Sequence, residues 1–166
     1  AVDGSTGWLL HAEARVETAV AAPPTLDLAA IRARCPAPER GEGLVTDQER
    51  HLRFGPRWRV LHSRALGAGE GIADLALPPQ FRGADAGYLL HPALLDIATG
   101  WAMRLIEGYD DARLWVPLSY GAITLTGPLP TQVVSHIRNA APNRDGDGLA
   151  RFDITLSDPD GNVVAE

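Results

Sequence analysis

The sequence contains no lysine; all 15 of its positive side chains are arginine. It has one cysteine, one methionine and only 6% aromatic residues in a length of 166. The single cysteine, Cys35, excludes an internal disulfide and fits a reducing compartment, so a cytoplasmic location is expected. Cys35 lies in Arg34-Cys35-Pro36-Ala37-Pro38 with no histidine partner beside it, and reads as structural rather than nucleophilic. The net charge of −6 and the lack of a basic stripe with interleaved aromatics argue against nucleic acid. No apolar run approaches the roughly 20 residues a membrane helix needs, and no signal peptide opens the chain. The missing lysine, beside abundant alanine, glycine and proline, is coding bias rather than chemistry.

What is present suffices for one domain: 45% of the residues are hydrophobic. The first residues run straight into a strand-like segment and the last residue stops inside another, so a piece of a longer polypeptide is expected. Residues 8–16 alternate as a strand does. An Ala/Pro linker follows over 19–25, then a short helix over 26–34 and a Pro/Gly-rich loop to Gly43. Thr46-Asp47-Gln48-Glu49 has the form of a capping box and starts a short helix that Gly55-Pro56 stops. Strands are expected over 58–66 and 71–77, joined by a hairpin at Gly67-Ala68-Gly69. The dominant helix spans 92–107 and ends near Gly108. Further strands follow at 114–125, 131–139, 149–157 and 162–166. Two strands, a long apolar helix and a run of antiparallel strands predict an α+β domain of hot-dog type, its sheet wrapped around the central helix.

That helix carries the one pattern that asks for a chemical explanation. It begins His91-Pro92-Ala93-Leu94-Leu95-Asp96 and continues Ile97-Ala98-Thr99-Gly100-Trp101-Ala102-Met103. Pro92 suits the first helical position, where its missing N–H costs nothing. Almost every face is apolar or small, as in a core helix. Asp96 is then a core carboxylate with no cation in its own turns, so it must find hydrogen bonds, take up a proton or be kept for chemistry. Its neighbours on the same face, Ala93, Thr99, Gly100 and Met103, leave open space. The pattern is that of a general acid at the end of a pocket; the alternative is a carboxylate capping nearby backbone or pairing with an arginine.

Other titratable residues carry less. His91 reads first as a capping or packing residue, and His62 and His136 fall inside strands. His51 ends a short helix and is solvated. Asn143, Asp145, Asp147 and Gly148 imitate the opening of a calcium loop, but the twelfth position is Ile154 rather than glutamate, and strands flank it. Gly67-Ala68-Gly69-Glu70-Gly71 has neither the lysine nor the helix of a phosphate loop. No metal and no resident cofactor is expected.

His91-Pro92-Ala93-Leu94-Leu95-Asp96 resembles the catalytic-aspartate motif in the second half of dehydratase domains from modular type I polyketide synthases. Phe54-Gly55-Pro56-Arg57-Trp58 is similar to the Tyr-Gly-Pro-x-Phe motif that precedes the first strand of that half. Val116-Pro117-Leu118-Ser119-Tyr120 resembles the Leu-Pro-Phe-x-Trp segment after the helix. Asp158-Pro159-Asp160-Gly161-Asn162-Val163-Val164-Ala165 resembles the terminal hairpin, and Trp8-Leu9-Leu10-His11-Ala12 the closing strand of the first half. The resemblance implies a division into residues 1–17 as the last strand of a first hot-dog half, 18–45 as linker and 46–166 as the second half.

The resemblance also implies the chemistry. Such domains remove water from a β-hydroxyacyl chain held as a thioester on the phosphopantetheine arm of an acyl carrier protein. A histidine of the first half takes the α-proton, and the aspartate, kept protonated by burial, gives its proton to the leaving hydroxyl. Asp96 is the implied acid, and His91, Phe54, Pro56, Gly100, Pro117 and Tyr120 the implied walls of the acyl tunnel. The acyl carrier protein and the other synthase domains are the implied partners, in a homodimeric synthase. Three positions depart from the family. The His-x-x-x-Gly-x-x-x-x-Pro motif of the base is not in this sequence. Gly100 stands where a Gln or His usually hydrogen-bonds the aspartate, and Phe54 stands where a tyrosine is usual. Two other readings stay open: a non-eliminating relative that shifts double bonds or is structural, and a free-standing hot-dog thioesterase or acyl-binding module.

Overall fold

Apolar residues on both faces of the second, third and fourth strands, among them Leu61, Ala65, Ile72, Leu75, Val134 and Ile137, give the sheet a buried layer on each side. The computed structural model describes residues 10–18, 22–83 and 87–166. Its six strands are β1 (Glu39–Arg40), β2 (Leu61–Leu66), β3 (Glu70–Ala76), β4 (Gln132–Asn139), β5 (Phe152–Ser157) and β6 (Val163–Ala165). They form one antiparallel sheet in the order of the chain. The expected hairpin at 67–69 joins β2 to β3, with Gly69 at a φ of 72° that side chains rarely adopt. A bulge between Leu61 and Ser63 moves the β2 side chains that follow to the opposite faces. Leu61 therefore packs with one layer and Ala65 with the other.

The first layer is the helix α2 (Pro92–Gly100), opened by Pro92 as expected. Ala93, Leu94, Ile97 and Ala98, with Trp101 beyond the helix end, bury against Ala73, Leu75, Val133, Ile137 and Leu156. The helix is shorter than the expected 92–107. Trp101 turns down to the sheet, where its indole N–H donates to Ser135 Oγ at 3.0 Å. Ser135 in turn donates to the carbonyl of Ala98 at 2.8 Å, tying that carbonyl to β4. The chain then closes through a 3-10 turn, Met103–Leu105, and turns at Gly108 with a φ of 75°. Gly71 on β3 makes the close approach possible, because a Cβ there would stand 2.7 Å from Cη2 of Trp101.

The second layer is α1 (Leu28–Arg34), inside the stretch expected to be linker. Asp27 caps it by accepting the amide of Ala30 at 2.9 Å. Ile31 and Cys35 pack on Ala65, Ile72 and Val134. Two ion pairs clamp it to the sheet: Arg32 on Asp74 and Arg34 on Glu70, each at 2.6 Å. Asp74 also accepts the Ser63 hydroxyl, and Glu70 meets Nε2 of the buried His136 at 2.8 Å. Just before α1, Leu26 N donates to Gly161 O at 2.8 Å, so this stretch lies against the terminal hairpin.

Two expected strands do not form among the described residues. Of residues 8–16, the first two lie outside the described residues, and 10–16 are exposed and unpaired, with Leu10 75% and Val16 91% accessible. Alternation there has no partner edge among the described residues, and a strand without a ladder is not a strand. Of 114–125, only the end is sheet-like: Leu125 bridges Ala165, and Thr124 and Glu166 exchange backbone hydrogen bonds of 2.7 and 3.0 Å. β6 offers three residues to pair with, and Pro117 and Gly121 interrupt the rest. The strand expected from 149 begins at Phe152. The capping box does form, around the 3-10 helix Asp47–Arg50.

Ser135→Ala should lower stability by about 1–3 kcal/mol, since it strands a buried indole N–H and a carbonyl; equilibrium denaturation measures it. The Glu70 carboxyl is held down to about 2, first by the Arg34 guanidinium and then by His136, against the opposing effect of burial. A depressed folded-state value stabilises above the unfolded carboxylate range and loses that contribution as pH falls through the folded value. The Tm gap between the parent and Glu70→Gln should therefore be widest near neutrality and close between about pH 4.5 and 2.

Candidate functional site

Asp96 sits at the middle of α2, and the helix shows why it is not where the sequence suggested. Only one side of α2 meets the sheet, through positions 93, 94, 97 and 98. Pro92 and Asp96 lie on the other side, which is exposed, and Leu95, Thr99 and Gly100 beside them are partly so. The expected core carboxylate is thus an exposed one. An all-apolar helix has two faces to cover, and this sheet covers one.

The carboxylate is nevertheless held. Gly55 and Pro56 open a 3-10 turn, Pro56–Trp58, which packs on α2 and aims Trp58 at the helix. The Trp58 indole donates to Asp96 Oδ2 at 2.8 Å. Phe54 lies parallel to the same indole, with ring centroids 6.2 Å apart and planes 7° apart. On the helix itself Thr99 turns its hydroxyl to the Leu95 carbonyl at 2.9 Å. Gly100, one turn beyond Asp96, faces open space: a Cβ there would meet no atom within 4 Å. His91 is buried at the helix start, its ring edge-on to Tyr88 at 6.1 Å.

Phe54, Pro56, Asp96 and Gly100 are thus brought together, with His91 at the end of the same helix. Pro117 and Tyr120 lie in the exposed stretch before Leu125, and among the described residues neither makes a hydrogen bond or ring contact with that group. The stretch is anchored at its start by Gln48, which sequence reasoning passed over. Buried in the 3-10 helix, Gln48 donates to the Tyr109 hydroxyl at 2.7 Å and accepts the Trp115 amide at 2.8 Å. Arg50 pairs with Asp111 at 2.6 Å, and His51 Nε2 lies 2.7 Å from the Asp111 carbonyl. Trp58 was also missed. Its place in Phe54-Gly55-Pro56-Arg57-Trp58 marked it as the start of a strand, and only the turn shows its N–H reaching a carboxylate.

Two shallow cavities lie elsewhere, of about 230 Å³ beside Asp47, Arg64, Trp101 and Arg104, and about 240 Å³ beside Arg32, His62 and Asp74. Asp96 lines neither. Among the described residues no three His, Cys, Asp or Glu gather as metal ligands, and no helix is long and apolar enough to cross a membrane. Asn143 of the calcium-like loop turns inward, bonding Asn139 and both backbone groups of Arg151.

Comparison with known proteins covers most of the chain. Residues 23–166 match the family described as the polyketide synthase dehydratase N-terminal domain. Mycoketide-CoA synthase of Mycobacterium tuberculosis is 31% identical over 144 residues, which are 85% of this chain and 3% of that protein. The dehydratase domain from the CurF module of the curacin polyketide synthase superposes with a TM-score of 0.73 at 21% identity, covering 90% of this chain and 52% of that one. An inactive Asp-to-Asn mutant of the CurK dehydratase superposes at 0.68 and 20% identity, covering 86% of this chain and 50% of that one. The hot-dog expectation is borne out by these folds. The chain spans about half the length of those solved domains and a small part of the curated synthases.

Gln48→Ala should leave the sheet intact and raise hydrogen exchange at the Trp115 amide roughly tenfold, the value of one ordinary hydrogen bond; residue-resolved exchange measures it.

Proposed function

The chain belongs to the polyketide synthase dehydratase family, and on that premise we propose that it is the aspartate-bearing half of a dehydratase that eliminates water from a β-hydroxyacyl thioester. The carrying observation is Asp96, exposed on α2 within the His91-to-Asp96 motif, fixed through one oxygen by Trp58 and open on the side of Gly100. An acid for an elimination needs that combination of a set orientation and free access. The division proposed is residues 1–17 from a first hot-dog half, 18–45 as linker and 46–166 as the second half. This assignment rests on the aspartate motif, not on the family description, which names an N-terminal domain.

In this reading a companion half lies over the open face of α2 and brings the histidine base. That cover excludes water and makes the buried, protonated carboxyl that an acid step requires. The base takes the α-proton, the electron pair forms the α,β double bond, and the β-hydroxyl leaves as water with the proton of Asp96. Products are water and the enoyl thioester; the base keeps the α-proton and Asp96 is left ionised. Gly100, Phe54 and Pro56 flank the carboxyl, and His91, Pro117 and Tyr120 belong to the outer wall of the acyl tunnel. The substrate arrives on the phosphopantetheine of an acyl carrier protein, among the other domains of a homodimeric cytoplasmic synthase. No cofactor of the domain is proposed. The inactive Asp-to-Asn CurK mutant supports an essential aspartate in such enzymes.

In a synthase polypeptide carrying both halves, Asp96→Asn should cut enoyl formation from a β-hydroxyacyl carrier substrate by about 10²–10⁴-fold while circular dichroism stays unchanged. Unchanged turnover would remove Asp96 from the reaction.

A further inference from the structure

We infer that Trp58 is the positioning residue of the Asp96 carboxyl and decides which of its two oxygens presents the proton. The inference rests on the reading of Asp96 as the acid. The helix that carries Asp96 does not supply this support: Thr99 bonds the Leu95 carbonyl, and Gly100 has no side chain to reach with. The donor comes from the neighbouring 3-10 turn, as the Trp58 indole N–H 2.8 Å from Oδ2.

The chemistry of an indole makes this more than an anchor. Its nitrogen only donates, so it can face an unprotonated oxygen but never accept from a protonated one. When the carboxyl carries a proton, the indole N–H favours Oδ2 as the carbonyl oxygen, the stronger acceptor, and so places the proton on Oδ1. Trp58 therefore directs the acidic proton away from the turn, to the oxygen that is free to meet a leaving group. A glutamine, histidine or serine in the same place, able to turn or change tautomer, would impose this less strictly.

The turn is built to hold the indole still. Phe54 lies parallel to one face of it, and Gly55 and Pro56 set the backbone. The next residue, Arg59, is fastened to Glu49 at 2.5 Å, and that glutamate side chain is 5% exposed. One turn along α2 from Asp96, the empty space at Gly100 is room for a second donor on the same helix face.

The test uses the same two-half synthase polypeptide and compares Trp58→Phe, Trp58→Phe with Gly100→Gln, and Asp96→Asn. Trp58→Phe keeps an aromatic ring and removes the N–H; kcat should fall roughly 10- to 100-fold, with KM changed less than about twofold. Adding Gly100→Gln to Trp58→Phe should restore most of the lost kcat, because an amide N–H one turn along replaces the indole. The indole N–H resonance of Trp58 should also move on Asp96→Ala. Parent-like kcat in Trp58→Phe overturns the inference, as does a loss that appears in KM or that Gly100→Gln does not repair. Full activity in Asp96→Asn would instead overturn the acid assignment itself, so the two failures are distinguishable.

Discussion

The seam between α2 and β4 is the constraint on which the rest depends. Trp101 donates to Ser135 and Ser135 to the Ala98 carbonyl, all at buried positions. This chain of bonds ends the helix, presses it onto the sheet and thereby sets which side faces away. With Ala93, Leu94, Ile97 and Ala98 committed to the sheet, 3.6 residues per turn leaves Asp96 on the far side. The site is thus placed by a packing decision made at Trp101, about 7.5 Å further along the chain at the helical rise of 1.5 Å per residue.

The sheet is braced on its other face by charge rather than by a second long helix. α1 contributes Ile31 and Cys35 to a small apolar cluster, but Arg32–Asp74 and Arg34–Glu70–His136 fix its position. Apart from the buried His136, these groups sit at the edge of burial, where ion pairs keep some solvent and lose less to desolvation than in a core. The arrangement leaves the α2 side to apolar packing, to the Trp101–Ser135–Ala98 bonds and to the exposed face of that helix. One face of the sheet is braced by charge; the other carries the helix with Asp96.

Much of this was legible beforehand, for identifiable reasons. The 67–69 hairpin, the capping box at Thr46 to Glu49, Pro92 at the start of α2, and the strands β2, β3, β4 and β6 follow from turn chemistry and period-two alternation, which are local. Asp96 was legible as the residue to explain. What was misread depends on partners. Among the described residues, 10–16 alternate without an edge to join, 114–125 meet a β6 of three residues, and 92–107 looks like one helix until Trp101 is pulled to Ser135. Gln48 and Trp58 were missed because nothing in their own neighbourhoods says that they reach Tyr109, Trp115 and Asp96.

By itself the sequence determined the element types, the antiparallel α+β class, the family motif and the identity of the carboxylate, because propensity, capping and short motifs act over a few residues. Only the tertiary structure decided that Asp96 is exposed, that an indole from another segment holds one of its oxygens, and that Gly100 leaves space beside it. Those outcomes depend on contacts between distant segments, Trp58 and Asp96 being 38 residues apart and Trp101 and Ser135 34, and no local pattern encodes the distance between two side chains that meet only after the sheet and helix have packed.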